Sequence, residues 1–298
     1  EYPASRISSA GCDLAFSWSA KSGLSLQYNT FRFSRGGANR IMGHLVTLAA
    51  WLSSDPDRPI VDVEFLTENE RESLSEWNET ERLSDFRGRT IHQLFEARYE
   101  LRPATTALVD NQGNASYNKL NTRVNQIAVQ LRSMGASAGQ NIAISAERSL
   151  DLVASFLAIW KIGAAVVPID GSKATDGVRG ILEDLQPVVW IHDQTAPVVR
   201  EFPAKRLSLE KLRPFSKRDS DSASAVSILP DATALVLRLS DDSYVKISHR
   251  ALINRFAWFW RVYPFRIGQT ACAHHSPASH HFIYELLVPL LEGIPVVL

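Results

Sequence analysis

The spacing of apolar and polar residues changes character near residue 90. Before that point, alternating apolar positions on both sides of a Gly-containing turn at residues 21–23 predict a β-hairpin. A helical stripe after Ser34 predicts a helix, and a second alternation over residues 61–65 predicts one short strand. Thr67 and Glu70 have capping-box spacing, which predicts another helix start. Residues 78–89 are polar and irregular, as is typical of a linker.

After Thr90, helical and strand-like segments alternate. Thr90 and Gln93 form a second capping box, and a clean helical stripe from Leu120 to Leu131 ends at Gly135. This alternation predicts an α/β fold, with a largely parallel sheet flanked by helices. The predicted segments are strands at 141–145, 164–169 and 188–192, helices at 150–162 and 177–185, and a polar surface loop at 214–224.

Composition narrows the class of protein. The chain has 298 residues, of which 45% are hydrophobic, and its formal net charge is zero. A neutral chain lacks the net positive charge that is typical of nucleic-acid-binding proteins. No apolar run is long enough for a membrane helix. The basic and aromatic residues between Arg255 and Arg266 fit a packed helix with a basic outer face better than a nucleic-acid site. Two distant cysteines favour a reducing, cytoplasmic setting.

One turn has a composition that excludes an ordinary phosphate site. Residues 234–239 predict a buried strand, and a helix start follows at Ser248. Phosphate-binding loops at such junctions use glycines, whose backbone N–H groups approach the phosphate, and a Lys. This turn has no Gly, and its two carboxylates repel phosphate. Its polar positions are Ser240, Asp241, Asp242 and Ser243, with Lys246 the nearby cation.

Several short motifs in a fixed order resemble a nonribosomal peptide synthetase. They follow the order of a condensation-domain end, a linker and the first part of an adenylation domain. Each motif alone is weak, and their order makes the resemblance specific. The matching stretches are residues 42–45, 54–59, 65–68, 77–80, 90–96, 116–121, 160–170 and 248–250.

The resemblance implies a domain layout. Residues 1–65 would be the C-terminal piece of a condensation-type domain, residues 66–89 the linker, and residues 90–298 a partial adenylation-like domain. The family activates an amino acid as its adenylate with Mg-ATP. The missing initiator Met and the apolar C-terminal run lead us to expect a segment of a longer protein.

The chain departs from the family at two places. The family's phosphate loop has a Thr-Ser-Gly start and a Pro-Lys-Gly end, which cannot be placed at residues 240–246. Counting back from Glu285, the Asp that would pair with the substrate's α-ammonium falls on His280, which cannot replace that pairing. We therefore expect no catalytic residue and no cofactor for this chain.

Four histidines offer a different interpretation. Imidazole is a good zinc or copper ligand, and these histidines lie within eight residues of one another. We expect neighbouring histidines to point in different directions, and no Cys or carboxylate lies at a recognised metal spacing. The sequence therefore predicts no metal site. The residues are His274, His275, His280 and His281.

Three functional hypotheses follow. The first is a degenerate, non-adenylating segment that acts as a scaffold between the condensation, adenylation and carrier-protein domains of one assembly line. The second is a portion of a working amino-acid-activating domain. The third is a metal-binding protein built on the histidines. None of them involves nucleic acid or a membrane.

Overall fold

A computed structural model describes residues 12–54, 57, 59–79, 86, 88–170, 175–194, 204–212, 227–239, 241–266 and 268–298. The chain divides into two units, Glu1–Arg82 and Leu83–Leu298. The predicted loop at 214–224 lies outside the described residues, as does most of the predicted linker at 78–89. In the described part, every helix is too short or too polar to cross a membrane.

The first unit begins with the predicted hairpin. Strand β1 (Leu14–Ser19) pairs antiparallel with β2 (Gly23–Tyr28). Gly23 has φ +71°, a backbone conformation that glycine adopts without steric cost. Helix α1 (Arg35–Ser54) follows, and the Ser34 hydroxyl accepts the Gly37 N–H at 3.1 Å. Helix α2 (Glu68–Asn78) starts at the predicted capping box, where Glu70 accepts the Thr67 N–H at 2.9 Å.

The strand predicted at residues 61–65 is wrong. The structure has a 3-10 helix at Ile60–Asp62, closed by a hydrogen bond from the Asp62 N–H to the Pro59 carbonyl at 3.0 Å. Val61 is 90% exposed and Phe65 is 51% exposed, so the alternating side chains do not cover a core. Alternation alone does not make a strand, because a strand needs a partner for its backbone groups.

The second unit contains alternating strands and helices. Its helices are α3 (Ile91–Leu101), α4 (Tyr117–Ser133), α5 (Leu150–Lys161), α6 (Thr175–Leu185), α7 (His249–Val262) and α8 (His280–Glu292), with a 3-10 helix at Leu209–Lys211. Its strands are β3 (Thr106–Asp110), β4 (Gly113–Ser116), β5 (Asn141–Ser145), β6 (Ala165–Pro168), β7 (Val189–His192), β8 (Lys205–Ser208), β9 (Thr233–Arg238), β10 (Tyr244–Ser248), β11 (Ala271–Cys272) and β12 (Val296–Val297).

These strands form two sheets that are parallel except at one edge each. The six-stranded sheet has the order β10-β9-β6-β5-β7-β8, with only the β9–β10 pair antiparallel. The four-stranded sheet has the order β11-β12-β3-β4, with only the β3–β4 pair antiparallel. The predicted α/β class with largely parallel sheets is confirmed.

Helix α5 lies in the centre of the core. All its side chains from Leu152 to Lys161 are buried. The Trp160 indole donates to the Ala234 carbonyl at 2.7 Å, which ties the helix to β9. Lys161 is buried with a charge partner, because its ammonium lies 2.6 Å from the Glu96 carboxylate. Burial of a charge is tolerated when it is paired in this way.

The other strong helix signals are also confirmed. The stripe from Leu120 to Leu131 is fully buried in α4, and Gly135 has φ +87° just after the helix. At the start of α3, the Gln93 side chain accepts the Thr90 N–H at 2.9 Å, as capping-box spacing predicts.

Candidate functional site

The polar turn after β9 closes a hairpin. The sequence predicts a strand that runs through a turn directly to a helix, but the structure inserts β10 between them. Arg238 pairs with Tyr244 and Leu237 with Val245 in this antiparallel pair. Helix α7 then begins as predicted, with the Ser248 hydroxyl accepting the Ala251 N–H at 3.2 Å.

Three backbone N–H groups among the described residues of this turn donate within the turn itself. The Leu239 N–H donates to the Ser243 carbonyl at 2.8 Å, and the Asp242 N–H donates to the Leu239 carbonyl at 3.2 Å. The Asp241 carboxylate accepts both the backbone N–H and the hydroxyl of Ser243, at 3.1 and 2.6 Å. Two backbone carbonyls and the Asp241 carboxylate thus take donors of the kind that a phosphate-binding nest offers to its ligand.

Electrostatics at the turn are unfavourable for an anion. The two hydrogen bonds from Ser243 lower the pKa of the Asp241 carboxyl, so this group is ionised at neutral pH. Asp242 has φ +66°, in the left-handed region that Asp tolerates better than most residues, and its carboxylate lies 2.9 Å from the Arg238 guanidinium. The Arg238 charge therefore faces a carboxylate already present in the chain.

Further contacts tie the hairpin to helix α6. The Tyr244 hydroxyl donates to the Asp184 carboxylate at 2.8 Å, and Arg238 donates to the Gly177 carbonyl at 3.2 Å. Burial, followed by the bond to Asp184, raises the pKa of Tyr244 to about 12. This network was not predicted from the sequence, because its partners lie about 60 residues apart. Lys246 lies exposed in β10, and Ser240 lies outside the described residues.

The residue predicted to stand at the amino-group anchor position lies at the start of α8. His280 is the first residue of this helix, and the preceding Ser279 caps it by accepting the His281 N–H at 3.2 Å. Burial and the neighbouring histidines His281 and His275 lower the pKa of His280. A neutral imidazole provides no negative charge to pair with an ammonium group.

Two of the four histidines converge on a carboxylate. The nearest Glu285 oxygen lies 2.6 Å from Nδ1 of His275 and 2.9 Å from Nδ1 of His274. The prediction that neighbouring histidines point apart is wrong here, because both belong to a loop that folds back over α8. The sequence signal was the Glu itself, which lies ten residues beyond His275 and has no standard metal-motif spacing.

A polar cavity of about 620 Å³ opens at the carboxyl ends of β5 and β6. Its lining includes Ser145, Glu147, Arg148, Asp170 and Ser276. The Ser145 hydroxyl is buried and has no hydrogen-bond partner among the described residues. Ligands of parallel α/β sheets bind preferentially at this edge. No catalytic or binding role is predicted for these residues from the sequence.

Comparison with known proteins gives the family. The model of the family described as "AMP-binding enzyme" matches residues 95–236. One of the polypeptides of mycosubtilin synthase from Bacillus subtilis is 31% identical over 280 residues, which cover 92% of this chain and 11% of that protein. Malpinin synthetase of Mortierella alpina is 30% identical over 276 residues, which cover 90% of this chain and 4% of that protein. The chain contains the N-terminal part of a nonribosomal peptide synthetase adenylation domain.

Solved structures show the same fold. The nonribosomal peptide synthetase FmoA3 in its AMPPNP-bound form superimposes with a TM-score of 0.80 at 19% identity, covering 92% of this chain and 30% of that one. The four-domain synthetase AB3403, bound to AMP and glycine, gives a TM-score of 0.79 at 24% identity, covering 96% of this chain and 22% of that one.

Family membership disfavours one of the three hypotheses and is compatible with the other two. Nonribosomal peptide synthetases align over 90% or more of the chain, so a protein whose main role is metal binding through histidines is not favoured. The chain spans about a tenth or less of the length of these curated relatives. The match to the AMP-binding model ends at residue 236, two residues before Arg238.

Proposed function

We propose that this chain is the condensation–adenylation junction of a nonribosomal peptide synthetase whose adenylation domain does not activate an amino acid. The proposed layout has the condensation-type tail at residues 1–65, the linker at 66–89 and the partial adenylation domain from residue 90. The division into two units near residue 82 supports a junction in this region. Its role would be to connect neighbouring condensation, adenylation and carrier-protein domains.

The observation that carries the proposal is the closed β9–β10 turn. A triphosphate needs backbone donors and positive charge that face solvent. In this turn the Leu239, Asp242 and Ser243 N–H groups all donate within the turn, and the Asp241 carboxylate adds negative charge. Opening the turn for ATP would break these bonds and bring a carboxylate close to phosphate.

His280 supports the same conclusion independently. Even with ATP bound, the amino acid would lack the carboxylate that holds its α-ammonium group. A charge-assisted hydrogen bond of this kind contributes roughly 1.5–3 kcal/mol, so its absence weakens substrate binding by about tenfold or more. Two separate elements, a hairpin and a helix start, thus both lack the family's binding chemistry.

ATP–pyrophosphate exchange on the longest parent protein that contains this chain tests the proposal. We expect no exchange above background with any amino acid. In the matched variant, the turn is replaced by the family loop, which starts with Thr-Ser-Gly and ends with Pro-Lys-Gly. The same variant also carries His280→Asp. Exchange by the unmodified protein would show a working adenylation domain and overturn the proposal.

Calorimetry separates ATP binding from catalysis. Titration of the unmodified chain with Mg-ATP should give no measurable heat of binding, whereas micromolar affinity, about −8 kcal/mol, would contradict the proposal. Triphosphate binding that appears in a variant with only the turn replaced, and His280 unchanged, would locate the defect in the turn.

A further inference from the structure

The loop before α8 is held on both sides. On one side, a single Glu285 oxygen accepts the backbone N–H groups of His274 and His275, at 3.0 and 3.1 Å. On the other side, the Arg148 guanidinium donates to the carbonyls of the same two residues, at 2.8 and 3.2 Å. Both the loop backbone and the orientation of the Glu285 carboxylate are therefore fixed.

The second Glu285 oxygen faces the two imidazoles. It lies 2.9 Å from Nδ1 of His274 and 2.6 Å from Nδ1 of His275. One ligand atom from each of the three residues lies within 4.8 Å of the others. Ligands of an ion with bonds of about 2.0–2.2 Å lie roughly 3.0–3.5 Å apart, so only small side-chain movements would be needed.

The donor set also fits a particular class of ion. Two imidazole nitrogens and one carboxylate oxygen suit a divalent transition ion such as Zn²⁺, and they are a poor match for Mg²⁺ or Ca²⁺, which prefer oxygen. The hydrogen bonds that fix the carboxylate correspond to the outer shell that orients ligands in metal sites.

We propose that His274, His275 and Glu285 form an open binding site for a divalent transition ion of the zinc class, with water in the remaining position. The ion would bind Nδ1 of each imidazole and leave the proton on Nε2. The site lies directly before the helix start that carries His280. A bound ion would hold the loop and α8 together at the place where the family binds its substrate. This inference does not depend on whether the domain is inactive.

The test is calorimetric titration of the untagged, chelator-treated chain with ZnCl₂ at about pH 7.5, above the ordinary imidazole pKa. We expect one equivalent to bind with a Kd of about 10 µM or tighter. His274→Ala and His275→Ala should each weaken binding by about tenfold or more. Both side chains are substantially exposed, at 69% and 40%, so these variants should fold, and thermal melting checks this.

The chain contains its own matched control. His44 lies 2.7 Å from the Glu70 carboxylate, which gives a second His–Glu pair with a single imidazole. His44→Ala should leave Zn²⁺ binding unchanged. Co²⁺ titration adds a spectroscopic test, because its visible bands report the ligand geometry and should be lost in the His274→Ala, His275→Ala double variant. Binding weaker than about 1 mM, or a one-equivalent site that survives in this double variant, would overturn the proposal.

Discussion

Strand β9 joins two regions whose sequences are constrained in different ways. Near its start, Ala234 accepts a hydrogen bond from Trp160, which is fully buried in α5. Beyond its end, the side chains of Asp241 and Asp242 are exposed and bond to residues of the same hairpin. Changes in α5 disturb a close-packed core, whereas changes in the turn disturb little. A domain can therefore retain its fold while its loop chemistry changes.

The largest expected loss of stability comes from a substitution in the core, at Trp160 of α5. Trp160→Ala removes a large buried side chain and leaves the Ala234 carbonyl without its partner. Together these losses should lower the free energy of unfolding by roughly 5 kcal/mol. Urea denaturation followed by circular dichroism measures this change. Trp258→Ala, at a partly exposed position of α7, is the control and should cost about 1 kcal/mol. Equal losses of unfolding free energy in the two variants would show that the core around α5 is no more constrained than the partly exposed position in α7.

Acid should weaken the same core through two buried histidines. His92 and His249 have ring centroids 6.4 Å apart, and Nε2 of each has no partner among the described residues. Burial, with a contribution from Lys161, lowers the pKa of His92 to about 4. Burial, with a contribution from His92, lowers the pKa of His249 to about 3.

The direction of the pH effect follows from these values. Between the folded pKa values and the ordinary value of 6.5, the unfolded chain binds more protons than the folded chain. The free energy of unfolding is therefore at its full value above about pH 6.5 and decreases as the pH is lowered. At pH 5 the decrease is roughly 2 kcal/mol for each histidine. Urea denaturation at several pH values measures the slope, and His92→Asn should remove about half of it. A flat profile from pH 7 to pH 5 would show that these histidines are not buried in a neutral form.

The structure of the core around α4 and α5 can be predicted from the sequence better than the structure of the β9–β10 turn. The α4 stripe, the capping box at Thr90 and the parallel α/β class depend on local spacing, which is readable along the chain. Strand β10 was missed because its pairing with β9 is not visible in five residues of mixed polarity. The strand predicted near Val61 failed for the related reason that a strand requires a partner. The meeting of Glu285 with His274 and His275 depends on the path of a loop, which spacing does not give.

Two neighbouring glycines test how closely the core constrains the backbone. Gly163, just after α5, has φ +84°, and an added Cβ would lie 2.8 Å from Cβ of Ala138. Gly139 has φ +80° with no atom within 4 Å of an added Cβ. Gly163→Ala should cost roughly 2–3 kcal/mol, while Gly139→Ala should cost about 1 kcal/mol from backbone strain alone. Thermal melting of both variants makes the comparison, and a larger loss for Gly139→Ala would contradict it.

The smallest effect is expected in the turn. Changing Asp241 and Asp242 together to Gly removes the two bonds from Ser243 and the ion pair with Arg238. Both aspartates and Ser243 are exposed, and Arg238 is partly buried. The same change relieves the left-handed strain at Asp242, because glycine adopts a positive φ without cost. These opposing terms should leave the free energy of unfolding within roughly 1 kcal/mol of the parent value.

Urea denaturation measures this free energy. Asp242→Val is the destabilised control, since a β-branched residue tolerates this φ poorly. A loss above about 3 kcal/mol in the double glycine variant would show that the turn is as constrained as the core, and that its sequence is not free to change.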